Sequence, residues 1–436
     1  MRVSMIGAGY VGLVASACFA DFGYHVTCID KDARRIAALN GGELPIYEPG
    51  LSDMVAANMR DGRLEFTGDN ASIAESDVVF LTVGTPSRGG DGQADLSYIF
   101  EAVRTIAPLL SDTAIVATKS TVPVGTGDEI ARRLRDARPA AAIAVVSNPE
   151  FMREGAAVYD FKHPDRILIG SDDARAQAVL AEVYRPFYLD AAPLVHISRR
   201  TAELIKYAAN AFLATKIGFI NEIADLCECV GADVQDVAHG LGLDHRIGGQ
   251  FLHPGPGFGG SCLPKDALAL IKAGRDHGRQ LRIIEAVAAA NDARKRAMAE
   301  KVVAALDGSV RGRTVAVLGL SFKPNTDDTR ESPAIPLIQA LQELGAEVRA
   351  YDPAGMEQMK WLLPSLIYCG SAYAAAEGAD ALVIATEWEQ FRALDLDRLK
   401  SLMARPVVVD LRNIYRVEEM RRAGFRYVAV GREGVA

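Results

Sequence analysis

One stretch of the chain, FLHPGPGFGGSCLPKD at 251–266, concentrates groups able to do covalent chemistry: glycines and prolines lead into Cys262, followed by Lys265 and Asp266. Gly255, Gly257, Gly259 and Gly260 carry no Cβ, so a ligand can approach main-chain N–H groups closely and turns with φ > 0 are open. Cys262 stands just ahead of the run LPKDALALIKAG, in which Pro264 suits a helix's first position and Gly274 its end. The positive end of that helix dipole, with Lys265 three residues on, favours thiolate over thiol, the form in which cysteine attacks a carbonyl. Most buried cysteines are inert small hydrophobes. The glycine approach and the adjacent charges favour a nucleophile here.

A second constellation opens the chain. A strand (RVSMI), a glycine turn at Gly7, Gly9 and Gly12 enclosing Tyr10 and Val11, a helical stretch to about Phe22 and a strand closing on Asp30 make the βαβ dinucleotide pattern. The glycines allow a tight turn, close approach of a pyrophosphate and tight helix-on-strand packing, and the helix N-terminus attracts phosphates. Asp30 can bond both ribose hydroxyls and would repel a 2′-phosphate, so NAD is expected rather than NADP, a preference that Arg34 and Arg35 weaken. A flavin site or a purely structural turn is the alternative.

Several elements must position these groups. Strand-like runs at 77–84, 113–120 and 141–147 each precede a loop, and such loops bind ligands in doubly wound sheets. They place Thr85, Thr121 and Glu154 beside the cofactor, although turn chemistry and helix capping are tasks that Thr85 and Thr126 could equally well perform. From Arg199 one long helix is expected, with Lys206 and Asn210 one turn apart on one face. Near Gly312 the strand, turn, helix, strand grammar returns, with Asp352 in the place of Asp30 and a longer loop carrying Lys323 and Arg330 in place of the glycine turn. The expected fold is α/β: two Rossmann-like, doubly wound parallel-sheet domains over 1–198 and 301–436, joined by a central helical domain over 199–300 that carries Cys262 and forms a dimer core.

The chain has 436 residues, 49% hydrophobic and 24% charged, with a net charge of −8. An acidic balance argues against nucleic acid or anionic membrane as a partner. No apolar run reaches the ~18–20 residues of a membrane span. The N-terminus runs directly into a strand, so no signal peptide is expected, and the six cysteines are scattered without zinc spacing. A cytoplasmic protein without a metal is expected.

A nicotinamide fingerprint implies hydride transfer, a thiolate implies covalent capture of a carbonyl, and a second nucleotide-type domain implies a nucleotide-bearing substrate. Together they describe oxidation of an alcohol to an aldehyde, its trapping as a thiohemiacetal, a second oxidation to a thioester and release of an acid by water. Asp266, Glu150, Glu154 and Lys206 are the candidate bases. Rival readings are a hydroxyacid dehydrogenase of the 6-phosphogluconate type, which needs no cysteine, and an NAD-sensing module without turnover.

The motifs GAGYVG, EPGL, VGTP, STVPVGT, NPEFMREG, LIKYAANAF, LDHRIGGQFLHPGPGFGGSCLPKD and SFKPNTDDTRESP cover nearly the whole length. In them the chain resembles the nucleotide-sugar dehydrogenases, the family that oxidises UDP-glucose, GDP-mannose and UDP-N-acetyl sugars. The resemblance implies Cys262 as nucleophile, Thr121 and Asp266 handling the catalytic water, Glu150 as general acid/base, and Lys206 with Asn210 stabilising the oxyanion. It implies NAD on Gly7, Gly9, Tyr10, Val11, Gly12, Asp30, Arg35, Thr85, Thr121, Glu154, Lys265 and Arg330. The sugar nucleotide falls on Glu150, Phe151, Met152, Arg153, Glu154, Lys206, Asn210, Phe251, Leu252, His253, Pro254, Gly255, Gly259 and Lys323, with Arg246 reaching a neighbouring subunit's substrate in at least a homodimer. FLHPGPG and HPDRI look like the branch that takes UDP-glucose, whereas Leu263 is the residue of the GDP-mannose branch.

Overall fold

The structure is a computed structural model and describes residues 1–88, 92–188 and 192–435. Two compact units make up the chain: Met1–Ala209 with Lys272–Arg279, and Asn210–Ile271 with Gln280–Ala436. The helical middle expected over 199–300 contributes to both.

In the first unit the strands are β1 (Arg2–Ile6), β2 (His25–Ile29), β3 (Leu64–Thr67), β4 (Val78–Leu81), β5 (Ile115–Thr118), β6 (Ala144–Ser147), β7 (Ile167–Gly170) and β8 (Leu194–Ile197). They form one eight-stranded sheet in the order β8-β7-β6-β5-β4-β1-β2-β3. From β3 through β6 every pairing is parallel. The sheet is not parallel throughout, however, because β7 pairs antiparallel to β6 through Ser147 and Gly170. The strand order reverses direction between β1 and β4, the position where doubly wound sheets open a ligand crevice at their carboxyl ends. β4, β5 and β6 are buried along their whole length, which explains their uninterrupted apolar reading. Helix α1 (Tyr10–Asp21) is apolar all round because residues 12–20 are all buried. Its Phe19 packs at 5.5 Å on Phe80 and edge-on at 5.0 Å to Phe161, a pairing that locks the cofactor helix to the sheet.

Helix α2 (Arg199–Val230) runs 32 residues without a break. The second unit holds α3 (Leu263–Asp276) and α4 (Arg282–Ala305) together with strands β9 (Thr314–Leu318), β10 (Glu347–Tyr351), β11 (Ile367–Tyr368), β12 (Ala381–Ile384), β13 (Val407–Asp410) and β14 (Arg426–Ala429), the last residues of α3 falling in the first unit. The strands pair in parallel in the order β11-β10-β9-β12-β13-β14, repeating the arrangement of the first sheet. Two expectations for α3 are corrected. Pro264 is its second residue rather than its first, and Gly274 lies inside it, since the helix runs on to Asp276 and the chain reverses at Gly278 with φ +67°.

The echo of Asp30 in Asp352 is topological, and the two carboxylates do different work. Asp352 is fully buried; its Oδ2 accepts the N–H groups of Leu320 and Ser321 at 2.7 and 2.9 Å and Trp388 Nε1–H at 3.1 Å. Its Oδ1 accepts Ser321 Oγ–H and the N–H groups of Ala354 and Gly355. Six donors occupy the group, so it ties the β9 loop to β10 and has nothing left for a ribose. Replacing Asp352 with Ala would strand those donors and is expected to lower the unfolding free energy by about 3 kcal/mol. Urea titration checks this; a loss below about 1 kcal/mol would contradict the structural role.

Candidate active site

The dinucleotide turn is built as the glycine spacing implies. Gly7 has φ +112°, and a Cβ on Gly12 would lie 1.9 Å from the Gly7 carbonyl oxygen, so neither position admits a side chain. No side chain caps α1, which leaves the N–H groups of its first turn without a side-chain acceptor, and nothing lies within 4 Å of a Cβ built on Gly9. Asp30 accepts the N–H of Ala8 at 2.8 Å and of Asp32 at 2.9 Å, and Arg35 Nη1 donates to it at 3.0 Å. Three donors leave lone pairs for a ribose, unlike the six on Asp352. The residues present therefore fit NAD.

Around this turn the loops are tied to one another. Thr85 Oγ1 donates to the Thr121 carbonyl at 2.9 Å, and Thr126 Oγ1 donates to the Pro123 carbonyl. Neither threonine caps a helix; the helix Thr126–Ala137 is capped from a distance by Glu203, whose carboxylate accepts the N–H groups of Gly125 and Gly127 at 2.7 and 2.8 Å. Burial pushes the Glu203 carboxyl above its ordinary range, against the pull of those amides and Ser147. Tyr10 donates to Glu48, and Glu48 in turn accepts the N–H groups of Gly155 and Ala157 at 2.7 and 2.8 Å. The EPGL motif thus carries the cofactor turn onto the NPEFMREG loop that holds Glu154.

That loop and α2 bring together three buried charges. Lys206 Nζ lies 3.1 Å from Glu150 Oε1, with 3% and 8% of the two residues exposed. Glu150 Oε2 accepts the Met152 N–H at 2.6 Å. The Phe151 ring lies 5.2 Å from Lys206 Nζ and carries the Arg166 guanidinium 3.7 Å over its face. Arg153 is held by Asp160 through Nε and Nη2. The third charge, Lys119, donates to Tyr184 at 2.9 Å and Asn148 at 3.2 Å, flanked by the rings of Phe80 and Phe161. Burial pushes its ammonium down to about 8, with Glu150 opposing and Lys206 adding to the shift. Two lysines and one carboxylate are thus buried in this part of the first unit.

The second unit assembles the sulfur site. The Cys262 carbonyl accepts the Asp266 N–H at 2.8 Å, so Cys262 caps the first turn of α3 and its half-buried Sγ stands at the positive end of that helix. Asp266 is buried, and Asn210 Nδ2 donates to its Oδ2 at 2.6 Å. Lys265 Nζ is 3.2 Å from Asp266 Oδ1, an ion pair that forms no hydrogen bond. In the preceding loop Leu252, Pro254, Gly255 and Gly259 are buried and His253 is exposed, while Phe251 takes φ +63°. A Cβ on Gly259 would fall 2.3 Å from the Glu331 carbonyl oxygen, and the Gly260 N–H donates to the Arg330 carbonyl. Lys323 Nζ sits over the Phe322 ring, Arg330 pairs with Asp328, and Arg246 pairs with Asp244 at the surface. Among the described residues no group of His, Cys, Asp and Glu could hold a metal ion.

Sequence reading missed Glu48, Glu203 and Lys119. Lys119 directly follows β5, a strand buried along its whole length, a signal that a buried charge needed partners. Those partners, Asn148 and Tyr184, are distant in sequence and could not be named from it.

Residues 1–188, 200–293 and 316–417 match, in order, the NAD binding domain, the central domain and the UDP binding domain of the UDP-glucose/GDP-mannose dehydrogenase family. A UDP-glucose 6-dehydrogenase of Rhizobium meliloti is 62% identical over 99% of this chain and 100% of its own length. One from Pseudomonas aeruginosa is 45% identical over 99% of this chain and 98% of its own. Among solved structures, a UDP-glucose dehydrogenase from the hyperthermophilic archaeon Pyrobaculum islandicum superposes with a TM-score of 0.90 at 39% identity, covering 99% of this chain and 98% of the other.

Lys119 has a consequence for stability. At low pH the folded and unfolded chains both carry its ammonium and the burial penalty is full. Between about 8 and the ordinary value of 10.5 the folded chain has shed the proton and the unfolded chain has not, so stability rises with pH. Compared with a Lys119→Met variant, the wild-type urea midpoint should therefore climb between about pH 7.5 and about pH 9.5, and a constant difference would contradict the depressed lysine.

Proposed function

The chain belongs to the UDP-glucose/GDP-mannose dehydrogenase family, and from that premise we propose that it oxidises C6 of UDP-glucose to the carboxylate of UDP-glucuronate. It is an NAD-dependent oxidoreductase, and each turnover removes four electrons and consumes one water. When bound, NAD supplies the acceptor for the hydride lost in each of the two oxidations, so two NADH leave per sugar.

One observation carries the reading: Cys262 stands at the head of α3 with the buried Asp266 one turn behind it, held by Asn210. In the proposed sequence Glu150 receives the proton of the C6 hydroxyl as the aldehyde forms. Cys262 Sγ then adds to the aldehyde carbon, and Lys206 and Asn210 donate to the oxygen of the resulting thiohemiacetal. Its oxidation leaves a thioester. Asp266, through the oxygen left without a hydrogen bond, and Thr121 orient the water that hydrolyses it, and the thiolate departs to be reused. Phe251, Leu252, His253, Pro254, Gly255 and Gly259 wrap the sugar nucleotide, Lys323 neutralises its phosphates, and Lys265 and Arg330 meet NAD. By this reading the functional regions are 1–198 for NAD, 199–300 for the nucleophile and 301–436 for the UDP moiety.

The enzyme is proposed to be a cytoplasmic homodimer. Phe212, Phe219 and Leu226 recur every seventh residue on α2 and are 65%, 48% and 55% exposed, an apolar stripe that a second copy would cover. From such a dimer Arg246, whose side chain is 79% exposed, would reach the neighbour's substrate. No helix of the described residues is long and apolar enough to cross a membrane.

Counting NADH against UDP-glucose consumed should give two; a value of one would support a hydroxyacid dehydrogenase of the 6-phosphogluconate type. Cys262→Ser should abolish UDP-glucuronate formation while leaving NAD affinity within about twofold, since the thiol adds nothing to cofactor binding. Acid release at the wild-type rate would refute the nucleophile. Asp30→Ala should weaken NAD by about tenfold or more and leave UDP-glucose affinity unchanged in titration, because a charged hydrogen bond to ribose is lost. Equal losses for both ligands would contradict the assignment.

A further inference from the structure

The loop that leads into Cys262 has few regular backbone hydrogen bonds of its own, so its shape must come from elsewhere. Three buried polar side chains supply it. Asn221, on α2, accepts the Gly255 N–H through Oδ1 at 2.8 Å. Arg294, on α4, donates from Nε to the Gly255 carbonyl at 2.7 Å and from Nη1 to the Asn221 carbonyl at 3.2 Å. Asn291, one turn earlier on α4, accepts the Phe258 N–H at 2.8 Å and donates to the Phe258 carbonyl at 3.1 Å. Both main-chain groups of Gly255 and both of Phe258 are therefore satisfied by side chains. Asn221, Asn291 and Arg294 are 3%, 5% and 7% exposed, and Asp225 fixes the Arg294 guanidinium with contacts of 2.7 and 2.8 Å.

The packing shows why glycine is needed between the two grips. At Gly257, with φ +119°, a Cβ would lie 2.9 Å from Asn291 Oδ1 and 3.1 Å from Lys295 Cγ, so the loop is pressed flat on α4. None of these three polar residues belongs to the proposed chemistry. Burying polar side chains is unfavourable unless they find partners; the loop backbone at Gly255 and Phe258 supplies partners to all three, and Asp225 and the Asn221 carbonyl supply the rest of those of Arg294, whose Nη2 alone has none.

We propose that Asn221, Asn291 and Arg294 are positioning residues that clamp the backbone of the 251–260 loop and thereby set the affinity for the sugar nucleotide. The inference rests on the assignment of this loop to UDP-glucose made above. An amide that both accepts the N–H and donates to the C=O of one residue fixes its peptide planes as well as its position, and at Gly255 the two tasks are shared, Asn221 accepting the N–H and the Arg294 guanidinium, held by Asp225, donating to the C=O. The clamp stands behind the loop and its residues act through it, so KM for UDP-glucose should respond while the chemical step does not.

Two measurements on the full chain test this. Hydrogen exchange of peptides spanning 251–260, without ligand, should quicken about tenfold at Gly255 in Asn221→Leu and at Phe258 in Asn291→Leu, while the β1 to β6 peptides keep their protection. Steady-state kinetics should show KM for UDP-glucose raised about tenfold or more, with kcat within about threefold and NAD affinity unchanged. Asn221→Asp keeps the acceptor and should restore KM to within about twofold of wild type. Arg294→Lys, which keeps the charge toward Asp225 but loses the Nε grip, provides the same reading if a leucine variant does not fold. Unchanged exchange at these amides, or quickened exchange with an unchanged KM, overturns the proposal. A wild-type chain that fails to oxidise UDP-glucose refutes the substrate assignment instead and leaves the exchange result to decide the clamp.

Discussion

The structure of the sulfur site depends on one short hydrogen bond in the main chain, from the Asp266 amide to the Cys262 carbonyl. It makes Cys262 the cap of α3 and sets the backbone of Asp266 one helical turn behind that of the cysteine. A helix start offers a thiol both unpaired amides and the positive end of the dipole. It also demands an approach without steric bulk, which the glycines at 255, 257, 259 and 260 provide. Asn210 then fixes the Asp266 carboxylate from α2, so two helices hold that group. In the first unit the Glu150–Lys206 pair is held in the same manner, by a loop amide on one side and an aromatic ring on the other.

The two sheets show how one topology is put to two uses. Both place an acid at the end of the second strand, opposite the turn after the first. In the first unit that acid is only partly engaged and the turn is bare glycine, which leaves amides and lone pairs for a dinucleotide. In the second unit the corresponding acid is saturated by backbone, serine and tryptophan, and Thr386 fills the space beside Gly319. The repeat has kept the strand order and closed the dinucleotide turn.

How much of this was legible in the chain follows from the range of each interaction. The glycine fingerprint, Asp30 and the Cys262 stretch are local: their steric and electrostatic requirements lie within a few residues, and glycine betrays them. Lys206 and Asn210 were visible as one helical face. The antiparallel turn of β7 was not, because a fully buried strand reads as an apolar run in either direction. Gly274 reads as a helix end yet lies inside α3, because the low helix propensity of glycine is weak against tertiary packing. Long-range polar contacts were illegible for a plainer reason. Glu48 reaches residues beyond 150, and Asn221 reaches Gly255, across stretches in which nothing marks the partner.

The claim on which the account turns is that the carbon being oxidised stays bonded to Cys262 between the two oxidations. Rapid quenching in acid during steady-state turnover of UDP-glucose, followed by mass spectrometry of the peptide bearing Cys262, tests it most directly. The account predicts that this peptide carries a UDP-glucuronyl group, that hydroxylamine removes it as a thioester requires, and that it disappears when UDP-glucose is exhausted. Recovery of only the unmodified peptide under conditions of full UDP-glucuronate production, with free aldehyde released into solution, would contradict it.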